Sequence, residues 1–308
     1  MINRILIRIK VVQTMYSYLV SSDQMTLDEA KKSLQKSLEK GYELYHYLLL
    51  LPVELTELHQ RRIDEGKHKY LPTEEDLNPN MKLVKNLFVK SLAENSAFRS
   101  YLKKRPITWR EQTAFMRLEL DRILKSDLYA KYVETEANDY KEDCRFWLNV
   151  MKDITLRDEE LSDVLEDESV YWNDDLAIVG SFALKTIKLF EQHDQSPILP
   201  MYKDEEDSRF GQELFGMAVD DLDRCNSLID KYAQAGNWDK DRIALMDRLI
   251  MCVAITETMR YPLIPASVTM NEYIEIAKYY STPKSGIYIN GILNAVINLL
   301  RQSGEIKK

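Results

Sequence analysis

Apolar residues recur at three- and four-residue steps along almost the whole chain, the period of helices that bury one face. Between residues 3 and 20, Ile5, Ile9, Val12, Tyr16 and Leu19 form such a stripe, with Arg4, Arg8 and Lys10 off it. A second helix is predicted to begin at Thr26, because Thr26-Leu-Asp-Glu29 has the spacing of a capping box. It carries Leu27, Ala30, Leu34 and Leu38 on one face and runs towards Pro52, with a weak point at Gly41. Further helical patterns cover 53–65, 80–104, 108–133, 136–151 and 174–192, the last with Leu176, Val179, Ala183, Ile187 and Phe190 in step. From 211 to 233, Leu214, Ala218, Leu222, Cys225, Ile229 and Tyr232 keep the period, and Gly236 ends that helix. The next is predicted to start with Asp239 as N-cap, Trp238 stapling against Ile243, and to reach Arg260. Pro262 and Pro265 then force a loop before helices over 267–280 and 285–301.

Composition agrees with long helices. The 308 residues include only 9 glycines and 9 prolines, too few for the frequent turns of a sandwich or barrel. An aromatic content of 10% within a 45% hydrophobic chain argues against disorder. Breaks are few: Leu71-Pro72 to Asn78-Pro79 is one loop, and Ser196-Pro197 to Pro200, before the acidic run 204–207, is the best candidate for a boundary. A basic run over 99–110 and an acidic one over 153–168 read as solvated helix faces. Cys144, Cys225 and Cys252 are odd in number and far apart, which fits reduced thiols in the cytoplasm. The cations in MINRILIRIKVVQTMY interrupt any leader pattern, and no apolar run approaches a membrane span. A soluble, cytoplasmic chain is expected.

Catalytic signatures are missing: the chain has no glycine-rich phosphate loop, no nucleophile elbow, no HExxH and no CxxC. His46, His59, His68 and His193 fall in unrelated patterns, so neither a metal nor a cofactor is expected. Adjacent carboxylates such as Asp174-Asp175 and Asp220-Asp221 point apart on a helix and read as surface charge. A net charge of −8 argues against coating nucleic acid by bulk electrostatics, though not against a local basic face. Both ends of the chain supply such a face. The first helix has three cations and no acid before Asp23, and Tyr279, Tyr280 and Tyr288 are interleaved with Lys278 and Lys284. Rings beside ammonium groups suit single-stranded RNA, whose bases stack while its phosphates meet cations. Asn290-Gly291, ordinarily a turn signal, interrupts a helical apolar series. A glycine there costs roughly 1 kcal/mol against alanine, so another helix or a ligand is expected to approach closely at Gly291.

The stretch Pro265-Ala-Ser-Val268-Thr-Met-Asn271-Glu272-Tyr-Ile-Glu275-Ile-Ala277-Lys278-Tyr-Tyr, followed by Lys284-Ser-Gly-Ile-Tyr288-Ile-Asn290-Gly291-Ile-Leu293, closely resembles the C-terminal signature of the bacterial transcription antitermination factor NusB family. That signature runs P-x-x-V-x-I-N-E-x-x-E-L-A-K-x-F, then K-F-V-N-G-x-L. Arg8-Ile-Lys-Val-Val12-Gln13-Thr-Met-Tyr16 is similar to the family's R-x-x-A-L-Q-x-L-Y opening, and Asp241 to Glu257 resembles its penultimate core helix. The resemblance covers residues 1–20 and 207–303. It implies an all-α fold of two small helical subdomains: 1–20 as first helix, 21–200 as a large helical insertion, and 201–308 as the remainder. Residues 174–200 are a candidate replacement for the family's second helix, and Trp109, Trp147 and Trp172 suggest that the insertion folds on itself.

The resemblance also implies a function. The chain is expected to be a non-enzymatic RNA-binding factor that acts with NusE, a small-subunit ribosomal protein, on boxA RNA of nascent transcripts. RNA polymerase in that antitermination complex then reads through terminators, chiefly in ribosomal RNA operons. The implied RNA contacts are Arg4, Arg8, Lys10, Gln13, Lys278, Lys284, Tyr288 and Asn290; the implied partner contacts are Glu257, Glu272, Glu275, Lys284 and Ser285. Two positions depart from the family: Cys252 stands where it has an arginine, and Ile287 where it has the lysine before F-V-N-G. Fewer phosphate contacts imply a shallower salt dependence. Lys103, Lys104, Arg105 and Arg110 of the insertion could supply lost contacts. The alternative is a helical protein–protein adaptor without RNA binding. NusB-like domains also occur fused to RNA cytosine methyltransferases, but the glycine-rich cofactor loop such an enzyme needs is missing here.

Overall fold

A computed structural model describes residues 1–21, 24–135, 137–192, 198–235, 243–282 and 285–307. Among them the fold is all-α, with no strand. Its helices are α1 (Arg4–Val20), α2 (Leu27–Lys67), α3 (Glu74–Leu77), α4 (Leu87–Glu94), α5 (Ser96–Lys104), α6 (Thr113–Lys125), α7 (Asp127–Tyr132) and α8 (Tyr140–Asp153). They continue with α9 (Glu159–Glu168), α10 (Leu176–Gln192), α11 (Glu205–Asp220), α12 (Leu222–Ala235), α13 (Leu245–Arg260), α14 (Ala266–Tyr280) and α15 (Ser285–Gln302). Two compact units form: Ile2–Leu38 with Tyr202–Lys308, and Glu39–Met201 together with Met1. The described part of 21–38, counted with the insertion on sequence grounds, falls instead in the unit of Ile2–Leu38 and Tyr202–Lys308.

Local chemistry explains most helix boundaries, and several differ from the sequence reading. Thr26 forms the expected capping box: its amide donates to Glu29 Oε2 at 2.8 Å, and the Glu29 amide donates to Thr26 Oγ1 at 3.3 Å. The helix it starts does not stop near Pro52 but continues as one element of 41 residues. Leu48, Leu49, Leu51 and Leu55 are buried around that proline, and their packing outweighs its missing N–H. The expected 80–104 helix breaks at Asn95, whose side chain accepts from the amides of Ala97 and Phe98. The 108–133 pattern breaks where Ser126 caps α7, and the 211–233 pattern divides at Asp221 into α11 and α12. The predicted Asp239 cap and Trp238 staple lie outside the described residues, as do Pro197 and Gly236, and α13 begins later, at Leu245.

In the unit of Ile2–Leu38 and Tyr202–Lys308, α1 packs against α11 and α13, and α13 also contacts α12, α14 and α15. Every α13 residue from Leu249 to Thr258 is buried, as befits a helix enclosed by neighbours. Gly211 on α11 lets α1 come close: a Cβ there would lie 2.8 Å from Ile7 Cγ2 and 3.6 Å from Leu38 Cδ1. Ile7 Cγ2 is branched at Cβ and cannot swing away. We therefore expect Gly211→Ala to lower stability by about 1–3 kcal/mol despite alanine's better helix propensity, measured by urea unfolding. A stability gain would show that the crossing is loose.

The unit of Glu39–Met201 has its own aromatic core. Trp109 stacks on Tyr47 with ring centroids 3.9 Å apart and donates from Nε1 to the Tyr47 carbonyl at 2.8 Å. Trp147 and Trp172 are buried as well. A polar cluster joins α4, α7 and α8: Asp143 accepts from Tyr132 OH at 2.5 Å and from the Leu87 amide at 2.6 Å. The buried Lys82 ammonium donates to the Tyr132 carbonyl at 2.6 Å and to Glu142 at 2.8 Å. The doublet carboxylates read as surface charge include two buried groups, Asp175 and Asp221. Asp221 is held by Arg260 at 2.6 and 2.8 Å.

Candidate nucleic-acid interface

The first helix does not present the cationic face its sequence suggests. Leu6 through Val12, with Thr14 and Met15, are all buried, because Leu6, Ile7 and Val11 add a second apolar side to the predicted stripe. The stripe's own Ile5 and Tyr16 are exposed instead. Asn3 accepts from the Leu6 amide at 2.9 Å and starts the helix. Arg4 donates to Asp207 at 2.7 Å and to Glu206 at 2.8 Å, in the first turn of α11, where carboxylates are favoured by the helix dipole. Lys10 is buried.

Arg8 meets Glu257 of α13 in a two-pronged pair, Nε to Oε2 at 2.8 Å and Nη2 to Oε1 at 2.9 Å. Thr269 Oγ1 donates to Oε1 at 2.7 Å and Tyr273 OH to Oε2 at 3.0 Å, both from α14. Burial works against the Arg8 charge, but hydrogen bonds and the Glu257 charge outweigh it and raise its pKa. Burial, followed by the Glu257 charge, pushes the Tyr273 hydroxyl well above its ordinary value. Arg8 and Glu257, expected respectively at an RNA face and a partner face, are therefore one internal clamp joining α1, α13 and α14. A cation already paired inside the fold has no charge left to offer a phosphate.

Other predicted residues are brought to the end of α14 and the start of α15. Gln13 donates from Nε2 to Tyr280 OH at 3.3 Å, tying the middle of α1 to the last residue of α14. Beside it, Tyr279 is 83% exposed and Ile287 is 74% exposed. Lys278 is exposed and bonds Glu275, Tyr288 is half-buried, and Asn290 is exposed. Glu272 is half-buried. Ser285 is buried: its hydroxyl bonds Ser281 at 2.9 Å and Thr282 at 2.8 Å and donates to Asp247 at 3.1 Å. That cluster ties the residues just after α14 to the first residue of α15. Lys284 lies outside the described residues.

The surface is thus built from rings and amides more than from cations. Such a surface can stack unpaired bases and bond their edges. One contributor is not legible in the apolar pattern. Asn294, which donates to Asn290 Oδ1 at 2.9 Å, is hidden within the apolar series of α15, and Tyr16 of the predicted buried stripe is exposed on α1. Amides spaced four apart at 290, 294 and 298 were the available signal. In the other unit, Lys103 and Lys104 are exposed, while Arg105 pairs with Glu39 at 2.7 Å and Arg110 lies 3.5 Å from Glu57. Among the described residues, no group of His, Cys, Asp and Glu could hold a metal ion, and no helix is long and apolar enough to cross a membrane.

Comparison with known proteins falls mostly on the unit of Ile2–Leu38 and Tyr202–Lys308 and reaches back into the last residues of the other. The NusB family model matches residues 182–298. The chain is 34% identical over 110 residues to the transcription antitermination protein NusB of Salinibacter ruber, across 36% of this chain and 68% of that protein. It is 35% identical over 96 residues to the protein of the same name from Chloroherpeton thalassium, across 31% of this chain and 44% of that protein. For the Dictyoglomus turgidum protein of that name the figures are 36% over 99 residues, 32% and 65%. No solved structure matches significantly.

Proposed function

The chain belongs to the NusB family, and from that premise we propose that it is a transcription antitermination factor acting with NusE on boxA RNA of nascent transcripts. The role is one of binding rather than catalysis, in the cytoplasm, within the antitermination complex of RNA polymerase, chiefly on ribosomal RNA operons. In this reading residues 1–38 and 202–308 form most of the NusB-like part, 182–201 belong with it because the family model covers them too, and the stretch between is the insertion. The observation that carries the proposal is the bond of Gln13 to Tyr280 at the end of α14, next to exposed Tyr279, with Tyr288 and Asn290 following in the first turns of α15. Bases lie on the rings, Asn290 and Gln13 bond base edges, and Lys278 with Lys284 meets phosphates. Glu272, Glu275 and Ser285 mark the side on which NusE docks, with Glu275 the exposed contact and buried Ser285 shaping the loop.

A second reading, a protein-binding adaptor without RNA, is favoured by one specific finding: Arg4 and Arg8 are both engaged by carboxylates of the same unit. Titrating labelled boxA RNA with the full chain, with and without NusE, separates the two. RNA affinity that rises with NusE and falls only gently with salt is the expected result, because few cations face the ligand. NusE binding that is indifferent to RNA would establish the adaptor instead.

A further inference from the structure

The last helix keeps one long side free of the core. Its buried residues include Ile289, Ile292, Leu293, Val296, Ile297 and Leu300. Opposite them, at steps of three and four, stand Asn290, Gly291, Asn294, Asn298 and Arg301, every one exposed. Asn294 Nδ2 reaches back to the Asn290 carbonyl at 3.0 Å, and Arg301 Nη1 lies 3.4 Å from Asn298 Oδ1.

Gly291 has no explanation within the fold. A mid-helix glycine costs roughly 1 kcal/mol relative to alanine. A helix of the same chain pressed against it would account for that cost, as Ile7 does at Gly211. At Gly291 a Cβ would meet nothing within 4 Å. Of the two approaches expected from sequence, the neighbouring helix is excluded among the described residues, and an external ligand is left.

The charge and chemistry of this side say which ligand. From Ser285 to Gln302 there is no Asp or Glu, in a chain of net charge −8. A docking protein helix would want apolar knobs there, and the five residues supply none. Carboxamides donate and accept at once, as base edges require, and a guanidinium at the far end suits a phosphate. Exposed Ile287, one turn earlier, offers an apolar surface on which a base can lie.

We propose that this side of α15, from Asn290 past Gly291, Asn294 and Asn298 to Arg301, is a track for single-stranded RNA that discriminates its sequence. The inference rests on the RNA-binding reading above and extends it beyond the α14–α15 junction. At 1.5 Å per residue the track is roughly 16 Å long, room for about five stacked nucleotides. Gly291 is where the RNA backbone comes closest, and Asn294 and Asn298 read bases.

The test is fluorescence anisotropy with NusE present, using boxA RNA and a scrambled RNA of equal length. The chains compared are the full protein, Asn294→Ala/Asn298→Ala and Gly291→Ala. The double variant should lose about tenfold or more in boxA affinity, as expected when base-edge contacts go, with scrambled RNA little affected. Gly291→Ala should melt no lower than the parent and still bind boxA RNA severalfold more weakly. A purely structural glycine would not separate stability from binding in that direction. Unchanged boxA affinity in both variants, with the parent binding normally, overturns the track and leaves the antitermination reading standing. A parent that binds no RNA even with NusE overturns both. Loss of NusE binding in the double variant without an RNA effect assigns the face to protein and also overturns the proposal.

Discussion

Glu257→Ala is expected to lower the unfolding free energy of the unit formed by Ile2–Leu38 and Tyr202–Lys308 by about 3–5 kcal/mol, enough to leave it largely unfolded at growth temperature. The carboxylate accepts two bonds from Arg8, one from Thr269 and one from Tyr273, and no solvent reaches it. Removing it strands a buried guanidinium and two buried hydroxyls. Most of the loss therefore comes from the charge left behind rather than from the bonds themselves. The double variant Arg8→Met/Glu257→Gln carries no buried charge, and the amide oxygen still accepts from Thr269 or Tyr273. It should recover more than half of the lost stability. Urea unfolding followed by far-ultraviolet circular dichroism measures both. A single-variant loss below about 1 kcal/mol would mean that the pair is solvated in solution and that Arg8 is available to RNA after all.

The second large effect is acid destabilisation of the Glu39–Met201 unit between pH 6.5 and 5. Burial holds the imidazole of His46 down to about 4, partly offset by its hydrogen bond with the Tyr42 carbonyl. Burial, aided by the charge of Arg62, holds His59 down to about 4 as well, and neither of its ring nitrogens has a hydrogen-bond partner. Below pH 6.5 the unfolded chain takes up protons that the folded unit refuses. Stability is therefore full above 6.5, falls as pH drops, and stops falling near 4. One pKa unit corresponds to 1.36 kcal/mol, so each histidine costs about 2 kcal/mol by pH 5. Buried carboxyls in the same unit, Glu119 and Asp143, are raised by burial and act with the opposite sign. Only a comparison of variants isolates the imidazoles. Trp109, Trp147 and Trp172 all lie in this unit and report its unfolding. In His46→Phe/His59→Leu, the phenyl ring keeps the stack on Tyr101, whose centroid is 3.5 Å away, and the leucine loses no hydrogen bond. Stability should then no longer fall as pH drops through that window, because only the carboxyls of opposite sign are left. A slope equal to the parent's would show that both imidazoles reach water.

These two effects differ in how far they were legible beforehand. Helix content, the Thr26 cap and the helices over 267–280 and 285–301 follow from short-range patterns, and they appear at nearly the expected bounds. The start of α13 and the passage of α2 through Pro52 do not, because burial by distant segments decides them. The candidate surface was half legible. Lys278 and Asn290 are exposed and Tyr288 is half-buried. Arg8 looked like a phosphate contact, since nothing near it in sequence reveals that its carboxylate is 249 positions away. Charge read along one helix cannot distinguish a ligand's partner from the fold's own.

That separation also has a consequence in time. At 5–20 residues per second of synthesis, Glu257 leaves the ribosome roughly 12–50 s after Arg8. Over that interval the Glu39–Met201 segment is complete and able to collapse, while α1 waits with Leu6, Ile7, Val11 and Met15 uncovered. During synthesis α1 is thus exposed to aggregation for that time, and it is among the last helices to find its place.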